Sequence, residues 1–388
     1  MKLLRFVLLI TLALAPLGVR AADEPLVVPV VISTTGPFAL VGKEQLLALQ
    51  TLMKSVNDQG GIGGRPLQFT FLDDASNPAN SVQLTSGLVN QKVPAMIGPS
   101  FVATCRAAAP LVVNGPVQYC MSPAGPTPKD GFSFVAGFSD PDSTHVALNY
   151  FNQRGWHRIA LLIPTDATGQ EGDEAYMSAI AMPENRGETI VAHEFFGISD
   201  ISVAAQLARI ETAKPDVLIV WTTGAPLGTV LHGMQTAGYD VPVLTSWGNL
   251  LYSAMDQFGA FAPKSGLLFT APRFLAANVL RGADRTAVDT FINAMQAAGV
   301  RPDAVLATEW DAGLVVVDAL RIAGPNATAD QVRRALEGIH GFPGAAASFD
   351  FRDGSQRGIT GATIVIGRWD PVAKTFVAAS APGGNPLK

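Results

Sequence analysis

Cysteine is nearly absent: Cys105 and Cys120 are the two in 388 residues. That excludes a multi-cysteine metal cluster or a disulfide-dense scaffold. Histidine is also sparse. None of His145, His157, His193, His232 and His340 sits in an H-E-x-x-H arrangement or at helical ligand spacing from another. No G-x-S-x-G is present, so a hydrolase nucleophile elbow has no support. Gly42-Lys43 lacks the spacing to an upstream glycine that a phosphate loop needs, and Glu44 stands where the metal-binding hydroxyl belongs. The Gly60–Gly64 run ends a helical pattern and opens a strand, the reverse of a dinucleotide fingerprint. Charge is low at 15%, and it is net acidic at −5. A phosphate backbone attracts a basic surface, so general nucleic-acid binding is not expected. No catalytic residue, cofactor or metal site emerges. Asp73-Asp74 reads as a solvated turn rather than an acid–base pair.

Apolar residues are plentiful, at 48%. That excludes disorder and supplies cores for roughly two domains. Long hydrophobic runs are missing except at the start. There, Lys2 and Arg5 lead into the apolar stretch Phe6–Gly18, and Val19-Arg20-Ala21 offers small residues at a cleavage site. This is the pattern of a secretory signal, expected to be cut after Ala21. The stretch falls short of the ~20 residues that span a bilayer. No cysteine near the cut offers a lipid anchor. The mature chain is expected to be a soluble, exported monomer of the periplasm. Export permits a disulfide. Cys105 falls near the start of a predicted helix and Cys120 at the end of the next predicted strand, so the two can pair or remain buried thiols.

The chain alternates short apolar strands with helices. Strands are expected at Leu26–Ser33, Pro66–Leu72, Ala95–Gly98 and Val117–Ser122. Leu46, Leu49, Met53 and Val56 form one helical stripe. Asn77-Pro78 is a helix start, with a cap before a favoured first residue. Phe101–Asn114 is predicted as a helix. The rhythm restarts after Asp140-Pro141, with strands at Arg158–Pro164, Glu188–Phe195, Val217–Trp221 and Val241–Thr245. The C-terminal part is helical over Asp284–Gly299, Val305–Ala323 and Ala329–Gly341, then closes with strands Ile359–Ile366 and Lys374–Ala378. Two such series imply two α/β lobes, each a mostly parallel sheet flanked by helices.

Ligands of open α/β sheets bind beyond the carboxyl ends of the strands. Those ends carry Thr34-Thr35-Gly36-Pro37, Gly98-Pro99-Ser100, Ser122-Pro123-Ala124-Gly125, Thr165–Gly169, Thr222-Thr223-Gly224 and Ser246-Trp247-Gly248. Each loop has ordinary turn chemistry. Six of them in two lobes suggest a cleft of hydroxyls and backbone N–H groups.

Four segments carry a family resemblance: Thr35-Gly36-Pro37-Phe38-Ala39, Val56–Arg65, Asp73–Pro78 and Met96-Ile97-Gly98-Pro99, with Trp310-Asp311-Ala312 further on. With these the sequence resembles the periplasmic solute-binding proteins of branched-chain-amino-acid-type ABC importers. The resemblance implies a two-lobed type I periplasmic binding protein with a three-crossover hinge. Its lobes would be 22–139 plus 273–348 and 140–272 plus 349–388. A small molecule would be captured between them and delivered to a membrane permease, with no bond made or broken.

The site implied by the resemblance departs from the family pattern. Val102 stands where a serine commonly donates to a ligand carboxylate, with Ser100, Phe101 and Thr104 beside it. Pro126 falls near the second hydroxyl position, next to Ser122, Ala124, Gly125 and Thr127. Val41 replaces an aromatic, Thr168 a tyrosine, and Thr223 lies at another lining position. Trp247 stands near the acidic residue that grips an amino group. Without that carboxylate an ammonium loses a partner worth ~1.5–3 kcal/mol. The expected ligand is therefore a small organic carboxylate, aromatic acids included, with Trp247 either stacked on it or packed in the core. The alternatives are an amino-acid-binding protein of the same transport class and a ligand sensor for a signalling partner.

Overall fold

Val28, Val30 and Ile32 are buried in the first strand, and the Ile159–Ile163 run is buried in another; these two strands sit inside separate sheets. The computed structural model describes residues 24–122, 129–352, 354–359 and 361–387. The signal segment with its cut after Ala21, and the candidates Ala124 and Gly125, lie outside the described residues.

The first sheet is built from β1 (Leu26–Ile32), β2 (Leu67–Asp73), β3 (Ala95–Ile97), β4 (Val117–Cys120) and β5 (Ser133–Val135). Its order is β2-β1-β3-β4-β5, parallel throughout. Helices α1 (Ala39–Asp58), α2 (Pro78–Asn90) and α3 (Val102–Ala108) connect the strands. Asn77 caps α2 by accepting from the Ala79 N–H at 2.8 Å, as its sequence predicts. The helix expected over Phe101–Asn114 ends at Ala108 and tightens into a 3₁₀ turn, Ala109–Val112. Pro110 lies in that turn and has no N–H with which to continue the α-helical ladder. Cys105 and Cys120 form a disulfide between α3 and the end of β4, with Cα atoms 5.9 Å apart.

After α4 (Asp140–Arg154) the chain builds the second sheet from β6 (Arg158–Pro164), β7 (Thr189–Phe196), β8 (Val217–Val220), β9 (Val243–Thr245) and β10 (Leu267–Ala271). Helices α5 (Ala167–Ile180), α6 (Ala204–Ala213), α7 (Ala225–Ala237) and α8 (Tyr252–Phe258) intervene. The chain then returns to the first sheet as α9 (Gly282–Ala297), α10 (Ala304–Ala323) and α11 (Ala329–Glu337), followed by the small hairpin β11 (Phe342–Pro343) and β12 (Ser348–Phe349). Helix α10 lies against α1. A Cβ on Gly313 would meet Leu52 at 2.5 Å and Leu49 at 2.7 Å, so glycine there permits the close approach.

The final hairpin, β13 (Val365–Asp370) and β14 (Thr375–Ala378), joins the second sheet antiparallel to β10. That sheet runs β14-β13-β10-β9-β8-β6-β7. The first hairpin strand thus begins later than the Ile359–Ile366 expected, because Gly361–Thr363 is a 3₁₀ turn. Before the hairpin, the Gln356 carbonyl accepts from the Val135 N–H of β5 at 3.1 Å. The chain therefore passes between the sheets three times: after β5, after β10 and ahead of β13.

Candidate ligand-binding site

The carboxyl ends of the two sheets face each other across a narrow cleft. On the first side, α1 contributes Val41 and Gln45. The β3–α3 turn contributes Ser100, Phe101 and Val102, and the segment after β4 contributes Met121 and Ser122. On the second side are Asp140 at the start of α4 and Thr168 in the first turn of α5. Trp221 and Thr223 follow β8 there, and Ser246, Trp247 and Gly248 follow β9. Of the residues singled out in the sequence, Val41, Ser100, Phe101, Val102, Ser122, Thr168, Thr223 and Trp247 come together in this lining. Thr104 does not. Its hydroxyl donates to the Phe101 carbonyl at 3.0 Å and accepts from the Phe101 N–H at 3.1 Å, which turns it into its own helix start.

The lining is held from behind. The Ser33 N–H donates to Ser100 Oγ at 3.1 Å, and the Phe38 and Phe101 rings pack at 4.3 Å. Asn249 ties the two second-side loops together. It accepts from the Gly224 N–H at 2.7 Å and donates to the Thr222 carbonyl at 2.6 Å and to Thr245 Oγ1 at 2.8 Å. Trp247 is fixed by its N–H donating to Thr270 Oγ1 at 3.1 Å. Its ring lies where a Cβ on Gly137, at φ +79°, would approach Cζ2 to 2.7 Å. Trp221 packs edge-on against Tyr176 at 5.5 Å and over Gly172.

Gln45, Met121, Asp140, Trp221, Ser246 and Gly248 escape selection by sequence reasoning. Ser246 and Gly248 sit in a strand-end loop already singled out. Trp221 reads as the apolar end of a strand, and Gln45 and Asp140 as the polar positions of helices.

Among the described residues, Asp140 is the one ionisable side chain in the lining. Burial pushes its carboxyl up to about 6, opposed by a hydrogen bond from the Trp221 indole and by the Arg357 charge. Gln45 donates to Glu309 Oε1 at 3.0 Å and to the Met121 carbonyl at 3.3 Å. Glu309 is fully buried, which raises it to about 8, so its carboxyl is neutral at pH 7. Among the described residues, no group of three or more His, Cys, Asp or Glu is placed to hold a metal ion, and no helix is long and apolar enough to cross a membrane.

Two α/β lobes with a cleft between their strand ends make a type I periplasmic-binding-protein fold. Solved structures share it at low identity. The leucine-binding protein LivK of Thermotoga maritima has a TM-score of 0.78 at 17% identity, covering 93% of this chain and 99% of that one. LivJ of Streptococcus pneumoniae, determined in complex with isoleucine, has a TM-score of 0.75 at 18% identity, covering 92% and 99%. The chain belongs to the periplasmic binding protein family, whose model matches residues 25–371. Among curated relatives, Leu/Ile/Val-binding protein homolog 3 of Brucella melitensis is 24% identical over 327 residues, 81% of this chain and 84% of that protein. The Leu/Ile/Val-binding protein of Escherichia coli is 22% identical over 259 residues, 65% and 69%.

Proposed function

We propose that this protein is an exported solute receptor that captures a small organic carboxylate in the cleft and presents it to an ABC-type permease. The observation that carries the reading is the make-up of the lining: the hydroxyl residues Ser100 and Ser122 share it with Trp221 and Trp247 of the opposite side. Fixed hydroxyls orient the polar head, and indole faces desolvate an apolar or flat body. Val41, Phe101 and Val102 extend the apolar wall, while Thr168, Thr223 and Ser246 add polar contacts opposite. Ala124 and Gly125 are proposed as further ligand-binding residues from the sequence alone. Thr104 acts through the helix start it caps.

In this reading the expected lobes, 22–139 plus 273–348 and 140–272 plus 349–388, are kept except that the segment ahead of β13 goes with the first lobe, because Gln356 is bonded to β5. The three connections act as a hinge, and closure gives the permease a liganded shape to recognise.

A thermal-shift screen of the chain beginning at Ala22 tests the reading. A ligand at 100 times its Kd adds about 2.7 kcal/mol of stability, which a melting curve resolves. Benzoate-like, phenylalkanoic and branched aliphatic acids, with and without amino groups, make up the panel. At least one is expected to raise the melting temperature in a saturable way. No shift from any carboxylate contradicts the proposal.

A further inference from the structure

The second sheet has a groove at the pole opposite the cleft. Strands β9 and β10 run parallel, and the loop after β9 lines the cleft, so the amino ends of both strands lie at the far pole. There the end of α7, the segment 260–266 leading into β10 and the end of β13 enclose about 610 Å³. Small-molecule sites span about 300–1,000 Å³. The groove and the cleft share no lining residue. Gly238, at φ +67°, stops α7 and turns the chain into Tyr239, a wall residue.

The walls are apolar and aromatic. Met234 and Leu267 are buried, Tyr239 and Phe261 are half-buried, and Trp369 is 4% exposed. Phe261 packs against His232 at 5.1 Å, and Trp369 against Phe376 at 5.0 Å. Among the described residues, two cations in the lining, Lys264 and Arg368, stand against one acid, Asp240. Both cations are exposed, and neither has a carboxylate oxygen of a described residue within 4.0 Å, a separation that Arg285 and Arg301 do reach elsewhere. Asp240 accepts from the Ser265 N–H at 3.1 Å and from its hydroxyl at 3.0 Å. Asp370, which feels the Arg368 charge, accepts from the Val372 and Ala373 N–H groups at 2.9 and 3.0 Å. The Trp369 indole N–H and the Tyr239 hydroxyl have no hydrogen-bond partner. Buried donors without acceptors are costly, and free cations beside an apolar wall favour an occupant of opposite charge.

We propose that this groove is a second small-molecule site that takes an amphiphilic organic anion. The acidic head lies at Lys264 and Arg368, and a flat apolar body lies against Tyr239, Phe261 and Trp369. Every lining residue belongs to the second lobe, so occupancy needs no closure of the cleft.

Fluorescence titration of the protein with 8-anilinonaphthalene-1-sulfonate tests this, with N-phenyl-1-naphthylamine as the same body lacking the sulfonate. The sulfonate is expected to bind saturably, one per chain, at least tenfold tighter than the amine, and to weaken as salt rises. Lys264→Glu combined with Arg368→Glu, at exposed positions and checked for folding by melting temperature, is expected to weaken the sulfonate at least tenfold. Ala262→Trp, which fills the groove, is expected to weaken both probes. The absence of saturable binding overturns the inference. So does equal affinity for the two probes, or sulfonate binding that survives the charge reversal. None of these results bears on the cleft, whose carboxylate reading is decided by its own screen.

Discussion

Gly172 sets the position of Trp221. A Cβ there would stand 1.9 Å from the indole Cδ1, so any larger residue drives the ring toward the cleft. Gly172→Ala is expected to cost about 1–3 kcal/mol by overpacking and to weaken ligand binding, as read by melting and calorimetry together. Unchanged affinity would mean that Trp221 does not shape the site. Glu309 acts from behind the cleft. Its folded-state pKa of about 8 stands above the ordinary 4.5, chiefly through burial, with Gln45 opposing and Asp311 adding to the rise. The folded protein therefore keeps a proton that the unfolded chain releases, and this contribution to stability falls as pH rises from 4.5 to about 8. Urea unfolding should show the wild type losing stability from pH 5 to pH 8 relative to Glu309→Gln, in which the new amide oxygen still accepts from Gln45. Parallel pH profiles for the two proteins would contradict this.

At the level of elements, the strand–helix alternation is legible because parallel strands buried on both faces must be continuous apolar runs; Arg158–Pro164 has the same bounds in sequence and structure. The short β5 and α8 carry too few residues for a period to show. Six loops at strand ends were legible as a cleft by the same logic, and seven of their residues, Ser100, Ser122, Thr168, Thr223, Ser246, Trp247 and Gly248, line it. Asp140 and Gln45 were not legible, because a polar residue at a helix start or on a helix face reads as solvated until the opposing lobe is placed over it. The Cys105–Cys120 link joins α3 to β4 across a separation of 15 residues, for which loop-closure entropy gives about 3 kcal/mol. Cys105→Ser with Cys120→Ser, or reductant on the wild type, should lower stability by roughly that amount. An unchanged melting temperature would show the bond to be dispensable.

At the level of the whole molecule, two ion pairs among the described residues join the two sides, Arg301 with Asp256 away from the cleft lining and one at the mouth of the cleft. Arg106 on α3 meets Glu171 on α5, elements that belong to different sheets. Both side chains are partly exposed, so the pair contributes no more than about 1 kcal/mol. Because it spans the cleft, under the proposed hinge closure that energy belongs to the closed form. Arg106→Ala and Glu171→Ala should each weaken ligand binding by up to about fivefold. The double variant should lose no more than either alone, and the loss should shrink at high salt. Additive losses would place the two residues in separate roles.

Capture of a carboxylate between the lobes is tested most directly by a crystal structure of the protein with the acid that most raises its melting temperature. The expected result places the ligand carboxylate within hydrogen-bond distance of Ser100 or Ser122 and its body against Trp221 and Trp247. An empty cleft, or the acid bound on an outer face of either lobe, would contradict it.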